Sequence, residues 1–152
     1  MRKLQCLMLG ALAAIALAQP LTAQIGLGPQ VAWGSSSDLG VGGRVVVSPG
    51  GASPISFQGI GSFDWFLDCD DCNYYEITPA LALSITLLGI GPYAGAGLNI
   101  ARLTPDNGEA ETDVGLALLI GARIPFGLFA EIRQTAGGSD QRVITVGFRL
   151  GG

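Results

Sequence analysis

Beyond its first twenty-three residues this 152-residue chain has no apolar run of helical length; large apolar side chains instead recur at every second position in short segments. A period of two is strand geometry, because successive side chains leave a strand on opposite faces. The chain must therefore build itself from strands, each with one bulky apolar face and one face of small or polar residues. Only 13% of residues are charged and mean hydropathy is +0.47. A helix needs about 20 apolar residues to cross a bilayer, whereas a tilted barrel strand needs about 9–11. This composition suits lipid contact by strands.

The start of the chain reads differently. Arg2 and Lys3 precede an apolar run from Leu4 to Leu17, and Leu21-Thr22-Ala23 stands before Gln24. That order of charge, apolar stretch and small residue is a secretory signal, expected to span residues 1–23 and to leave one domain over 24–152. Cys6 has Gln5 before it, not the small residue a lipoprotein cleavage site would have. Of the eight Lys plus Arg, Arg2 and Lys3 belong to the signal; six Arg remain against twelve Asp plus Glu, a formal charge of −6. An acidic domain without Lys or basic clusters lacks the phosphate-neutralising surface of a nucleic-acid binder.

Turn and breaker residues cut the domain into eight segments, roughly 25–34, 38–47, 55–67, 74–85, 90–102, 112–124, 126–135 and 141–150. The connections after the first, third, fifth and seventh are polar: Ser35 to Ser37, Asp68 to Asn73, Leu103 to Glu111 and Ala136 to Asp140. Of the other three, Thr86 to Gly89 and Pro125 are short, and Ser48 to Pro54 is longer and rich in Gly, Ser and Pro. Short turns at one end and polar loops at the other, with an even strand number, bring both termini to the short-turn end. The expected fold class is all-β: an eight-stranded antiparallel up-and-down transmembrane β-barrel.

One face of these segments takes Ile25, Leu27, Val31 and Trp33, then Val41, Val45 and Val47, and so on to Ile144, Val146, Phe148 and Leu150. The other holds Gln30, Arg44, Gln58, Asp64, Glu76, Thr78, Tyr93, Asn99, Arg123, Glu131, Arg133, Thr145 and Arg149, spaced mainly by Gly, Ala and Ser. A soluble barrel would place the bulky apolar face inside and charges outside. The polar face here is too poor in charge for a wetted sheet, and its Arg and acid counts nearly balance. Tiny residues leave room in a narrow lumen while Arg and carboxylates pair across it, so the apolar face is read as outward. A soluble periplasmic barrel is the fold-level alternative.

Aromatics add a second pattern. Trp33, Phe63, Trp65, Tyr74 and Tyr75 fall near the loop ends of their segments, and Phe126 and Phe148 near the turn ends. Two girdles at membrane interfaces are the expectation; the bland alternative is that aromatics simply favour strands. With the signal, the strand count, the loop asymmetry and the last segment Val143-Ile-Thr-Val-Gly-Phe-Arg-Leu150, the chain resembles the small eight-stranded outer-membrane barrels of the OmpA and OmpX kind. The resemblance implies residence in the bacterial outer membrane among its lipid and lipopolysaccharide, and assembly by the barrel-insertion machinery through the last strand. The chain departs from that family in ending Leu150-Gly151-Gly152, where an aromatic residue usually closes the signal.

Three features could carry chemistry. Cys69-Asp-Asp-Cys72 is a C-x-x-C with no helical setting for redox work and no further Cys or His for zinc. A small disulfide at a loop tip is the expectation, with a free or redox-active pair as the alternative. Asp38, Asp68, Asp70, Asp71, Asp106, Glu109, Glu111, Asp113 and Asp140 make the loop end acidic. This is a solvated rim or a loose divalent bridge to lipopolysaccharide phosphates; no EF-hand spacing is present. The third feature is the lumen set Arg44, Asp64, Glu76, Arg123, Glu131, Arg133 and Arg149. Buried charges persist when paired, so these form an ion-paired plug or line a constricted, gated path. No cofactor or metal is expected. The Gly-rich runs lack a following helix and the Lys with Ser or Thr of a phosphate loop. The mature chain has no His to serve as base, which disfavours a lipid-modifying enzyme. A structural or interactive barrel is the leading reading, and a small-solute pore the next. The ligand of the loops is not legible.

Overall fold

A computed structural model of the protein describes residues 23–37, 39–49, 54–67, 72–138 and 140–151. Residues 1–22, the expected signal save Ala23, lie outside the described residues, as do Asp38, the middle of the Ser48–Pro54 turn, and Asp68 to Asp71 with Cys69 among them. The eight strands are β1 (Ala23–Gly34), β2 (Leu39–Pro49), β3 (Ile55–Phe66), β4 (Cys72–Ile85), β5 (Gly91–Pro105), β6 (Glu111–Arg123), β7 (Leu128–Ala136) and β8 (Arg142–Phe148). Each pairs antiparallel with its sequence neighbour, and β8 returns to β1, closing the barrel. Closure leaves no sheet edge open to aggregation.

Alternation runs through the middle of the strands and fades at some ends, as in the first four residues of β6, all exposed. β7 is the plainest case, with exposed Leu128, Ala130, Ile132, Gln134 and Ala136 between buried Phe129, Glu131, Arg133 and Thr135. The outward set is apolar and bare: Phe57 is 71% exposed, Leu116 64% and Ile120 62%, while Asp64, Glu76 and Arg133 are fully buried. This inverts the usual distribution, in which ionised side chains keep to the surface and large apolar ones do not form a continuous belt.

Two turns at the terminal end depend on left-handed backbone. Leu87 and Ile90 exchange both backbone hydrogen bonds (2.8 and 2.9 Å) around Leu88 (φ 52°) and Gly89 (φ 85°), the two-residue hairpin whose twist matches its strands. Between β6 and β7, Pro125–Gly127 forms a 3₁₀ turn with Phe126 at φ 72° and Gly127 at φ 86°. The sequence reading began the seventh strand at Phe126 and turned the chain on Pro125 alone. One residue cannot reverse an antiparallel ladder, so the strand starts at Leu128 instead.

The seam between β1 and β8 is short. The ladder runs from Gly34↔Val143 to Gln30↔Gly147 and resumes at Leu27↔Leu150. Pro29 falls in the gap, where it has no N–H to give. Gly28 beside it is required: a Cβ there would lie 1.6 Å from the Phe148 carbonyl oxygen.

The interior is less uniformly small and polar than the sequence suggested. Val46, Ile60, Phe66, Leu119, Phe129 and Val143 point inward and are buried. Val46, Ile60, Ala80, Ala82, Tyr93 and Leu119 form one apolar cluster, and Ala32, Phe66 and Val143 another. A lumen with a few charges still contains space that only larger apolar side chains fill to normal packing density.

Candidate functional site

Five of the described inward-facing charges gather in two layers. Nearer the loop end, Arg133 on β7 reaches two strands across the lumen. Its Nη2 donates to Asp64 Oδ2 at 3.1 Å and to Glu76 Oε2 at 2.8 Å. Gln30 Nε2 donates to Asp64 Oδ1 at 2.6 Å, and Tyr74 Oη donates to Glu76 Oε1 at 2.7 Å. Gln141 Nε2 donates to the same Glu76 oxygen. Two carboxylates and one guanidinium leave a formal charge of −1, spread over neutral donors that offset part of the desolvation cost. Arg133 Nε and Nη1 have no hydrogen-bond partner. Above this layer Phe66, Ala32 and Val143 pack with Tyr74 and cover it towards the loops.

The second layer lies closer to the termini. Arg44 Nη2 donates to Glu131 Oε1 at 2.6 Å, and Arg44 Nη1 donates to Tyr93 Oη at 2.9 Å. Tyr93 Oη in turn donates to Glu131 Oε2 at 2.9 Å, which closes a three-membered ring of hydrogen bonds. The Arg44 guanidinium also sits 4.2 Å from the centroid of Phe129, a cation–π distance. Between the layers Thr78 Oγ1 donates to Asn99 Oδ1 at 2.8 Å.

The seven expected lumen charges therefore do not act as one set. Arg44, Asp64, Glu76, Glu131 and Arg133 are brought together as described. Arg123 at the end of β6 and Arg149 just beyond β8 stand lower, half-buried, on the wall of a cavity of about 120 Å³. Gln30, Gln141, Tyr93 and Phe129 complete the layers. Gln30 and Tyr93 are inward in the sequence pattern as well; Phe129 is not singled out there, and Gln141 precedes β8 and joins through its amide.

The aromatic assignments need one correction. Tyr74 points into the lumen, with its hydroxyl on Glu76 and its ring 5.4 Å from Phe66. Tyr74 and Tyr75 are adjacent on β4, so they cannot share a face, and Tyr74 has the parity of Glu76. Trp33, Phe63 and Trp65 are exposed on the outer wall near the loop end, and Tyr75 stands 5.9 Å from Phe63. At the opposite end Phe126 is exposed in its turn, and Phe148 is half-buried against Gly127.

At the loop end Asp106, Glu109, Glu111, Asp113 and Asp140 are exposed, and Asp140 Oδ1 accepts from the Gly137 N–H at 2.7 Å. Among the described residues no three acidic or thiol side chains converge to hold a metal. Cys72 is placed as the first residue of β4, and its expected partner Cys69 lies outside the described residues.

Comparison with solved structures matches this architecture. Ail, the attachment invasion locus protein of Yersinia pestis, superposes with a TM-score of 0.57 at 13% identity, covering 84% of this chain and 97% of Ail. The fold is that of the small outer-membrane barrels. Neisserial surface protein A matches with a TM-score of 0.54 at 16% identity, over 85% of this chain and 94% of that one. The backbone structure of the outer membrane protein Ail in a phospholipid bilayer nanodisc matches at 0.50 and 8% identity, over 82% and 99% of the two chains. No family profile matches the sequence, and no curated protein is detectably similar to it. At such identities the likeness is one of backbone, and the lumen must be read from its own side chains.

Proposed function

We propose that this chain is an integral outer-membrane β-barrel with a structural and interactive role, exported on the signal at residues 1–23. The observation that carries this reading is the exterior. A closed barrel whose outward side chains are Ile, Leu, Val, Phe and Trp, many more than 40% exposed, is stable where the solvent is lipid. The fold likeness to bacterial outer-membrane barrels supports the same location. Short acidic loops, with Cys69 and Cys72 as a disulfide at the β3–β4 tip, stand beside lipopolysaccharide. The last strand is the segment offered to the assembly machinery.

Both lumen layers act as struts that plug the barrel. Passage of a solute would require Arg133 to leave Asp64 and Glu76, and Arg44 to leave Glu131 and Tyr93, each in a dry interior. Separating a buried ion pair costs about 3–5 kcal/mol, so the pore reading requires both layers to part together. We assign the chain no catalytic step. Planar-bilayer recording tests this proposal, with heat-modifiable gel migration as the control for a closed barrel. The parent should be silent, as should Arg44→Ala with Glu131→Ala alone, and removing the other layer as well with Asp64→Ala, Glu76→Ala and Arg133→Ala should open measurable conductance. Steady single-channel conductance from the folded parent would establish the pore instead.

A further inference from the structure

A second apolar surface lies beyond the strands, on the rim at the terminal end of the barrel. Leu88 in the β4–β5 turn is 103% exposed and Phe126 in the β6–β7 turn 91%, the barest large apolar side chains among the described residues. Exposed Leu87 and Ile90 flank the first, and exposed Ile124 and Pro125 precede the second. The last β5–β6 pair, Gly91↔Arg123, sets the two turns side by side, and a Cβ on Gly89 would lie 3.4 Å from Pro125 Cγ. Neither 86–91 nor 124–128 contains a charged residue. The β2–β3 connection at the same end, Ser48-Pro-Gly-Gly-Ala-Ser-Pro54, has only small residues and Pro, so the bulky apolar patch is one-sided.

Two further observations say what covers this patch. Leu88 (φ 52°) and Phe126 (φ 72°) are the two non-glycine residues with left-handed backbone among those described. Tight turns favour Asn, Asp or Gly there, because a bulky side chain is strained. With side chains this bare, neither residue offsets the strain by packing inside the protein. The compensation comes from outside the chain, where covering the apolar area is favourable. The patch is also continuous with the outer wall. Exposed Leu83 and Ile85 on β4 lead into Leu87, and exposed Ile120 on β6 leads through Ile124 to Phe126.

We propose that the paired β4–β5 and β6–β7 turns form a wedge inserted into the phospholipid leaflet at the terminal end, with the upper acyl chains as its partner. The proposal rests on the outer-membrane reading above and extends the lipid contact from the strands over the rim. Leu87, Leu88 and Ile90 enter the acyl region, and the Phe126 ring lies at the boundary with the headgroups. The patch has no cation, so headgroup charge contributes nothing to the contact, unlike that of a polybasic anchor. Being one-sided, the wedge seats this part of the rim deeper than the β2–β3 connection.

The test places tryptophan on the turns of the whole barrel in phosphatidylcholine vesicles. Trp33→Phe with Trp65→Phe clears the background, and Leu88→Trp or Phe126→Trp then reports one turn each. Glu109→Trp, in the polar β5–β6 loop, is the water-facing control. Phospholipid brominated high on its acyl chains should quench both turn tryptophans several-fold more than the control, and aqueous acrylamide should give the reverse order. Added phosphatidylglycerol should change neither result, and a requirement for it would contradict the uncharged contact. Because tryptophan itself favours interfaces, Leu88→Asn with Phe126→Asn supplies a second readout. Asn suits left-handed turns, so this variant should keep its heat-modifiable migration yet leave the vesicles at a lower detergent concentration than the parent. Parent tryptophans quenched by brominated lipid, with turn tryptophans as open to acrylamide as the control, would sink the wedge alone and leave the patch as a docking face for a periplasmic protein. Parent tryptophans untouched by brominated lipid would remove the membrane reading and the wedge together. Extraction of the double Asn variant at the parent's detergent concentration also overturns the proposal.

Discussion

Removing Arg133 isolates the energetics of the lumen. Arg133, Asp64 and Glu76 are all fully buried, and a single guanidinium nitrogen serves both carboxylates. Arg133→Met would leave two like charges facing each other without solvent, with the neutral donors Gln30, Tyr74 and Gln141 still on them. Deleting one partner of a buried ion pair costs about 3–5 kcal/mol. With a urea dependence of about 2 kcal/mol per molar, the unfolding midpoint in lipid vesicles should fall by about 2 M. Asp64→Asn and Glu76→Gln added to Arg133→Met remove the stranded charges as well. Replacing a whole buried ionic cluster with neutral groups is often close to neutral, so the triple variant should return to within about 1 kcal/mol of the parent. A triple variant as unstable as the single one would refute the ionic account and make Arg133 a packing residue.

Three other outcomes follow from the same geometry. Tyr74→Phe removes a donor to Glu76 and should cost about 1 kcal/mol in the same unfolding assay, while Tyr75→Phe on the outer wall should change it by less than about 0.5. Gly28→Ala places a methyl against the Phe148 carbonyl and should reduce the heat-modifiable folded fraction. Gly61→Ala, whose added Cβ meets nothing within 4 Å, should leave it unchanged. Cys69→Ser with Cys72→Ser should leave the midpoint almost unmoved, because any loop the pair closes is very short; a large shift would mean the pair supports the barrel wall as well as the loop tip.

Much of the barrel was legible because a period of two is a local property. All eight strands start and end within three residues of the segments read from the sequence. The inward set from Gln30 to Arg149 is buried or half-buried as its parity requires. What alternation cannot supply is which strands face each other across the lumen. Arg44 meets Glu131 eighty-seven positions away, and Arg133 meets Asp64 sixty-nine positions away, distances set only when the barrel closes. The inward Val46, Ile60, Phe66 and Phe129 were hidden by a different cause. Each shares parity with a polar neighbour, but a large apolar residue draws the eye to the lipid face. Tyr74 failed for the same reason, grouped with Tyr75 by chemistry although the pleat separates them.

The measurement that bears most directly on this account is quenching of tryptophan fluorescence by brominated phospholipid in reconstituted vesicles. Trp33 and Trp65 are each 46% exposed on the outer wall near the loop end, and they are the only tryptophans in the chain. Both should be quenched, more strongly by bromine near the headgroups than at the bilayer centre. Tryptophans that brominated lipid leaves untouched, in a protein whose gel migration ignores heating, would contradict a barrel that turns its apolar face to the membrane.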